Sequence, residues 1–216
     1  MSQRSNADRR CTRCRMHLRL CVCSLIPRIE TRTRLLLVIH RIEDRKTTNT
    51  GRLASECLVN SQVVVRGHPA AANEPLPLQT PAVLLFPATD ALPLERLASR
   101  LTSDGSALTL VVPDGNWRQA SKVRRRIPGL RDMPCAMLPA SEKSNYRLRS
   151  EPHEHGLATI EAIARAFGIL EGRGVQEALE LPFRAMVERT LWARGSVATA
   201  DVTSGIPRGA MRHNPA

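Results

Sequence analysis

Three short, almost unbroken apolar runs constrain the fold most: Leu35–Ile39, Ala82–Phe86 and Ala107–Val112. Each has the length of a strand rather than of a helix. A strand that is apolar at successive positions has both faces buried, which marks a parallel sheet between covering layers. The first strand is expected over Thr33–His40, with further short strands over Ser61–Arg66 and Pro134–Leu138. Between the strands the apolar spacing becomes helical, over Asn49–Asn60, Leu92–Leu101 and the basic segment Gly115–Arg126. Leu157–Leu170 and Val175–Arg194 read as longer amphipathic helices. Pro87 and Pro113 are expected to close their strands, and Pro69–Pro81 to form a loop. The class is therefore α/β, a mostly parallel sheet covered by helices.

A second constraint precedes the sheet. Cys11, Cys14, Cys21 and Cys23 lie within thirteen residues, as Cys-x-x-Cys and Cys-x-Cys pairs. Thiolates at this spacing wrap one tetrahedral Zn2+ without a large fold behind them, and four of them leave no open catalytic position. A redox dithiol is the competing reading, but that motif opens a helix after a strand, and no strand pattern precedes Cys11. His17, between the pairs, is expected at the surface. The chain then divides into a basic zinc knuckle over 1–30 and the main α/β domain over 31–194. Residues 195–216 lose all periodicity and are expected to be a disordered tail.

Charge points to the partner. The chain of 216 residues carries a formal net charge of +12, and its first 60 residues hold 13 Arg or Lys against 5 Asp or Glu. Such a surplus attracts nucleic acid through sequence-independent, salt-dependent contacts. Aromatic residues amount to only 3%, which argues against a stacking platform for single-stranded bases. No apolar run approaches the roughly 20 residues of a membrane span, and Met1–Asp8 has no apolar signal core. With Cys57 and Cys135 expected as free thiols, a cytoplasmic protein without membrane contact is expected.

In open parallel sheets ligands bind beyond the carboxyl ends of the strands. That rule selects His40–Arg52, Phe86–Thr89, Pro113–Trp117 and Tyr146–Arg149. Asp114 follows a buried strand at the start of a helix, so it is a candidate for an active-site role that is compatible with a helix N-cap. Trp117 suits the wall of a planar ligand site or a core position. Asn49, Thr50 and Arg52 open a helix, a natural seat for an anion or an ordinary cap. Arg118 and Lys122 share a helix face suited to phosphates, and Arg147 and Arg149 share a side if extended; solvated charge is the bland alternative for both.

The ordered set Cys11–Cys23, His40…Glu43…Asn49-Thr50-Gly51-Arg52, Asp114-Gly115-Asn116-Trp117, Tyr146–Arg149 and Leu157–Ala162 resembles the DTW-domain family of tRNA-uridine aminocarboxypropyltransferases. Asn116 stands where the family's name motif has Thr. The resemblance implies a SPOUT-like, trefoil-knotted core. It implies S-adenosylmethionine as co-substrate, tRNA as partner, structural zinc, and transfer of the 3-amino-3-carboxypropyl group to uridine N3 with release of methylthioadenosine. Asp114, Asn116 and Trp117 become the catalytic candidates. Phe86, Pro87, Pro113, Asp114, Trp117, Leu157, Thr159 and Glu161 become candidates to hold S-adenosylmethionine. His40, Glu43, Asn49, Thr50, Arg52, Arg118, Lys122, Arg147 and Arg149 become candidates for RNA. A SAM-dependent RNA methyltransferase and a non-catalytic basic zinc protein that binds RNA are the alternatives.

Overall fold

The computed structural model describes residues 9–47, 49–68, 74–140, 144–148 and 156–212, and of Trp117 the backbone alone. The elements in chain order are β1 (Arg34–His40), α1 (Arg41–Asp44), α2 (Gly51–Cys57), β2 (Ser61–Arg66), β3 (Ala82–Leu85), β4 (Leu92–Pro93), α3 (Leu94–Leu101), β5 (Thr109–Asp114), α4 (Trp117–Arg126), β6 (Cys135–Met137), α5 (Thr159–Glu171) and α6 (Arg173–Ala193). The strands form one six-stranded sheet in the order β2-β1-β5-β3-β6-β4. Every pairing is parallel.

The apolar runs explain the layers. Leu35, Leu37 and Ile39 of β1 enter one core with Val83, Leu110 and Val112, whereas Leu36 and Val38 enter a second core with Leu84 and Val111. This is the two-residue alternation of a strand buried on both sides. The first face is packed by α2, α3, α5 and α6 through Leu53, Leu97, Ile163, Phe167 and Phe183. Truncating a fully buried phenylalanine such as Phe167 to alanine costs about 3–5 kcal/mol. The second face is covered by Val123 of α4, by Ile127, Leu130 and Met133 after it, and by Leu76.

Four details depart from the sequence reading. Pro113 does not end β5, which continues to Asp114. Beyond Val111 the strand pairs with β1 only, because the β3 ladder stops there, and a proline is tolerated on such an open edge. The helix after β5 begins at Trp117, not Gly115, because Asn116 is its cap. Leu92–Pro93, expected as helix, is a two-residue strand paired with β6. Finally, within residues 195–212, expected as a disordered tail, a short turn at Thr199–Asp201 is anchored to α6. Val202 is buried, and the Trp192 indole donates to Thr199 Oγ1 at 3.0 Å. The periodicity is absent because the segment is held by single side chains of α6 rather than by a repeating apolar face.

From β1 the chain proceeds to β2 on one side, and from β5 it proceeds to β6 on the other. The crossovers diverge between β1 and β5, and in open parallel sheets that switch point is where a ligand crevice is expected, here between the carboxyl ends His40 and Asp114.

Candidate active site and metal centre

Asp114 is the centre of the crevice. Alternation along β5 puts it on the face of Leu110 and Val112, toward α2 and α5. It is 7% exposed. Asn49 donates its amide to Asp114 Oδ2 at 2.5 Å, and Thr159 donates its hydroxyl to Oδ1 at 2.6 Å. Asn49 Oδ1 meanwhile accepts the Arg52 N–H at 3.0 Å, so Asn49 caps the first turn of α2 while it holds the carboxylate. Gly51 makes the approach possible: a Cβ there would lie 2.7 Å from Asp114 Oδ2. Both carboxylate oxygens of Asp114 thus accept from donors on other elements, Asn49 at the entry to α2 and Thr159 at the head of α5.

The cap role expected for Asp114 belongs to Asn116. Its side chain accepts the Gln119 N–H at 2.9 Å, and Gln119 Oε1 accepts the Asn116 N–H at 2.8 Å, a reciprocal capping box. Asn and Thr both serve as N-caps, which accounts physically for Asn at the family's Thr position. Gln119 then directs its amide to His40 Nδ1 at 3.1 Å, where the Ile42 N–H also points at 3.3 Å. Both partners are N–H donors, so this network assigns the neutral ring's hydrogen to Nε2. Gln119 thus ties the two strand ends together, a link that no sequence pattern announced.

Glu161 is also anchored within the fold. Its carboxylate accepts the N–H groups of Asn145 at 2.7 Å and Ala158 at 2.8 Å, and the hydroxyl of Ser144. It pins the segment around Tyr146 to the start of α5, so the ligand contact expected of it is taken up by the backbone. Thr159, expected to hold S-adenosylmethionine, spends its hydroxyl on Asp114. Thr50 Oγ1 accepts the Ile160 N–H at 3.5 Å. Three elements, β5, α2 and α5, are therefore locked at one point.

Several residues expected on an RNA surface lie elsewhere. Asn49 and Thr50 are buried behind Asp114. Glu43 is buried with Lys46 Nζ at 2.5 Å. Arg52 pairs with Asp44 at 2.5 Å. Their polar chemistry assembles the crevice from inside. Arg118 and Arg147 are exposed and Lys122 is partly exposed, while Arg149 lies outside the described residues. Phe86, Pro113 and Leu157 are half-buried along the strand ends and Pro87 is exposed. Trp117 is the first residue of α4.

At the N-terminus the sulfurs converge. Cys11 and Cys23 Sγ are 3.4 Å apart, Cys14 and Cys21 Sγ are 3.6 Å apart, and all four lie within 4.8 Å of one another. A tetrahedral Zn–S bond of about 2.3 Å separates sulfurs by about 3.8 Å, so the set fits such an ion. Burial raises the Cys11 thiol, but the backbone N–H groups of Cys14 and Arg13 outweigh it and bring it to about 7. Burial and neighbouring sulfurs push Cys14 and Cys23 up. A divalent cation removes this conflict by taking all four as thiolates. His17 is outside the group; its Nδ1 accepts the Arg19 N–H and caps the turn Leu18–Leu20.

The knuckle is bonded to the main domain. Arg13 donates to Glu56 at 2.8 Å, and Arg15 bonds Asp44, which also receives Arg52. Burial works to raise the Asp44 carboxyl, but Arg52 and Arg15 overcome it and hold it below the usual carboxylate value. Two concavities lie away from Asp114. One of about 430 Å³ sits between the knuckle and α2, and one of about 310 Å³ at the amino ends of the strands. The candidate site is located by the chemistry of the strand ends.

Fold and site define a parallel α/β protein with a carboxylate at its switch point and a tetracysteine knuckle suited to a metal ion. The chain belongs to the DTW-domain family, whose domain matches residues 8–191. It is 28% identical over 185 residues to tRNA-uridine aminocarboxypropyltransferase 2 of Macaca fascicularis, covering 82% of this chain and 61% of the relative. To the enzyme of the same name from Drosophila melanogaster it is 28% identical over 179 residues, covering 78% and 69%. To tRNA-uridine aminocarboxypropyltransferase A of Arabidopsis thaliana it is 27% identical over 193 residues, covering 76% and 73%. The chain thus spans about three fifths of the first relative's length. Among solved structures, the SAM-dependent rRNA:acp-transferase Tsr3 from Vulcanisaeta distributa aligns with a TM-score of 0.43 at 20% identity, covering 79% of both chains.

Proposed function

We propose that this protein transfers the 3-amino-3-carboxypropyl group of S-adenosylmethionine to N3 of a uridine in tRNA. The observation that carries the reading is Asp114, buried at the switch point and braced by Asn49 and Thr159, in front of a helix with basic side chains. The names of the family relatives support the same reaction and substrate.

The step is a displacement at carbon. Uridine N3 attacks the aminocarboxypropyl carbon bonded to sulfur, a C–N bond forms, and the C–S bond breaks. The sulfonium becomes the neutral thioether methylthioadenosine. The N3 proton goes to a base, for which the Asp114 carboxylate at the end of β5 is the candidate. Selection of this carbon over the methyl requires alignment of N3 with one C–S bond, a matter of positioning. Gln119, Asn49, Glu161 and Thr159 supply the rigidity behind that positioning. Phe86, Pro87 and Pro113 at the strand ends, with Trp117 at the start of α4 and Leu157 before α5, border the S-adenosylmethionine site. Arg118, Lys122 and Arg147, with Arg149, meet the tRNA backbone, and His40 lies at the edge where the base arrives. The knuckle holds structural zinc and acts as a staple, because Arg13 and Arg15 are spent on the main domain.

Incubation of the purified protein with S-adenosylmethionine and unmodified bulk tRNA, followed by mass spectrometry of nucleosides and small products, tests this. Methylthioadenosine together with an aminocarboxypropyl-uridine is the expected result. S-adenosylhomocysteine with a methylated nucleoside would transfer the chain to the methyltransferases. Neither product, with tRNA bound, would reduce it to an RNA-binding protein.

A further inference from the structure

Arg189, in the middle of α6, is 4% exposed. Its guanidinium makes three hydrogen bonds, all to backbone carbonyls: Nη1 to Cys21, Nε to Gly205 at 3.0 Å and Nη2 to Ser204 at 3.5 Å. Among the described residues no carboxylate pairs with it. A buried cation without an anion is costly, and carbonyl dipoles alone do not neutralise it. The Cys21 carbonyl that accepts from Nη1 belongs to one of the four residues whose thiols converge in the knuckle. Four thiolates around one divalent cation carry a net charge of −2, an anion placed where Arg189 lacks one.

The other side of the guanidinium is equally specific. Ser204 has φ 61° and Gly205 has φ 67°, two consecutive left-handed residues whose carbonyls both accept from Arg189. A serine enters that region only where its surroundings hold it there. One helical turn of α6 fixes the segment: Glu188 accepts the Thr203 N–H at 2.5 Å, and the Trp192 indole donates to Thr199. Val202 is buried in the same core as Leu20, Val22 and Ile26 of the knuckle.

We propose that Arg189 is the counter-charge of the tetracysteine metal centre and bolts it to residues 199–205, so that metal binding and the fold of the C-terminal segment are one event. Arg189 is thereby a positioning residue for the knuckle, remote from Asp114. The inference rests on the four cysteines holding a metal ion, and not on the transfer reaction.

Two measurements on the full chain test it. The first is zinc affinity by competition with a chromophoric chelator, for the unmodified protein, Arg189→Met and Arg189→Lys. Arg189→Met is expected to weaken zinc binding by about tenfold or more, the range for outer partners of a metal site. Arg189→Lys, which keeps the charge and loses the fork, is expected to weaken it less. Equal losses in the two variants would overturn the counter-charge role. The second is hydrogen–deuterium exchange of residues 199–205 in the unmodified protein before and after chelation, which needs no variant to fold. Faster exchange there on metal removal is expected, and unchanged exchange would overturn the coupling. A chain that takes up no zinc defeats the metal reading and this inference together. Zinc binding indifferent to Arg189→Met defeats this inference alone.

Discussion

Asn49 and Asp114 stand 65 positions apart in the chain, yet the amide of one meets the carboxylate of the other at 2.5 Å. The contact joins the entry to α2 with the exit of β5, and Thr159 at the head of α5 completes it from the other oxygen. The Asn49 amide and the Thr159 hydroxyl both donate to the ionised carboxylate.

Asp114→Asn is expected to fold and to lose transfer. An asparagine turns one of its two polar atoms into a donor, and the Thr159 hydroxyl can rotate to accept from it, which limits the stability loss to about 1 kcal/mol. The carboxylate needed for proton removal is gone. Single-turnover transfer should fall by about two or more orders of magnitude, while tRNA affinity in a filter-binding assay changes little. Retained turnover would remove Asp114 from the chemistry.

Gly51→Ala places a methyl group 2.7 Å from Asp114 Oδ2 and 3.2 Å from Leu37 Cδ2. Neither neighbour is free to retreat, because Asp114 is held from two sides and Leu37 is fully buried. Overpacking of this kind costs about 1–3 kcal/mol, and activity should fall more steeply than the melting temperature. Gly174→Ala is the control, since a Cβ there meets nothing within 4 Å. Equal behaviour of the two variants in thermal denaturation and transfer assays would show that the approach of Gly51 to Asp114 is unimportant.

Glu161→Gln replaces one acceptor oxygen by a donor in a site with two backbone N–H groups and a hydroxyl pointing in. A buried N–H left facing another donor costs about 1–3 kcal/mol. Residues 144–148 should exchange deuterium faster than in the unmodified protein. Under the proposed function, KM for S-adenosylmethionine should rise more than kcat falls. Unchanged exchange in that segment would refute the pinning role.

Asp44 makes attachment of the knuckle sensitive to acid. Its folded carboxyl lies below its unfolded value, so the stabilisation is fully present above the ordinary carboxylate value of about 3.9 and is lost as pH falls through the lower folded one. Asp44→Asn should lower stability at neutral pH and flatten this part of the acid limb in urea titrations. An acid limb identical in both proteins would exclude Asp44 from the linkage.

The sheet was legible because β1, β3 and β5 are apolar at nearly every position, and only burial on both faces tolerates that. The four cysteines were legible because local spacing alone brings their sulfurs together. Asp114 was legible as a strand-end carboxylate, and its place in the motif order pointed to the family. Asn49, Thr50, Glu43 and Glu161 were recognised as significant, with a ligand contact and a local capping role both open for the residues at helix starts. Sequence shows that a polar residue is present at a helix start, not whether its partner is a substrate or the end of another strand.

The sequence by itself determined the α/β class, the four cysteines that come together and the strand ends that carry the candidate site, since these follow from local periodicity and spacing. Tertiary structure alone decided that Asn49, Gly51 and Thr159 converge on Asp114, that Gln119 bridges to His40, and that Arg189 joins Cys21 to the C-terminal segment. Those contacts span tens to more than a hundred residues. Their partners are selected by the sheet order, which brings β1 beside β5, and by burial, which leaves each polar group no water with which to bond.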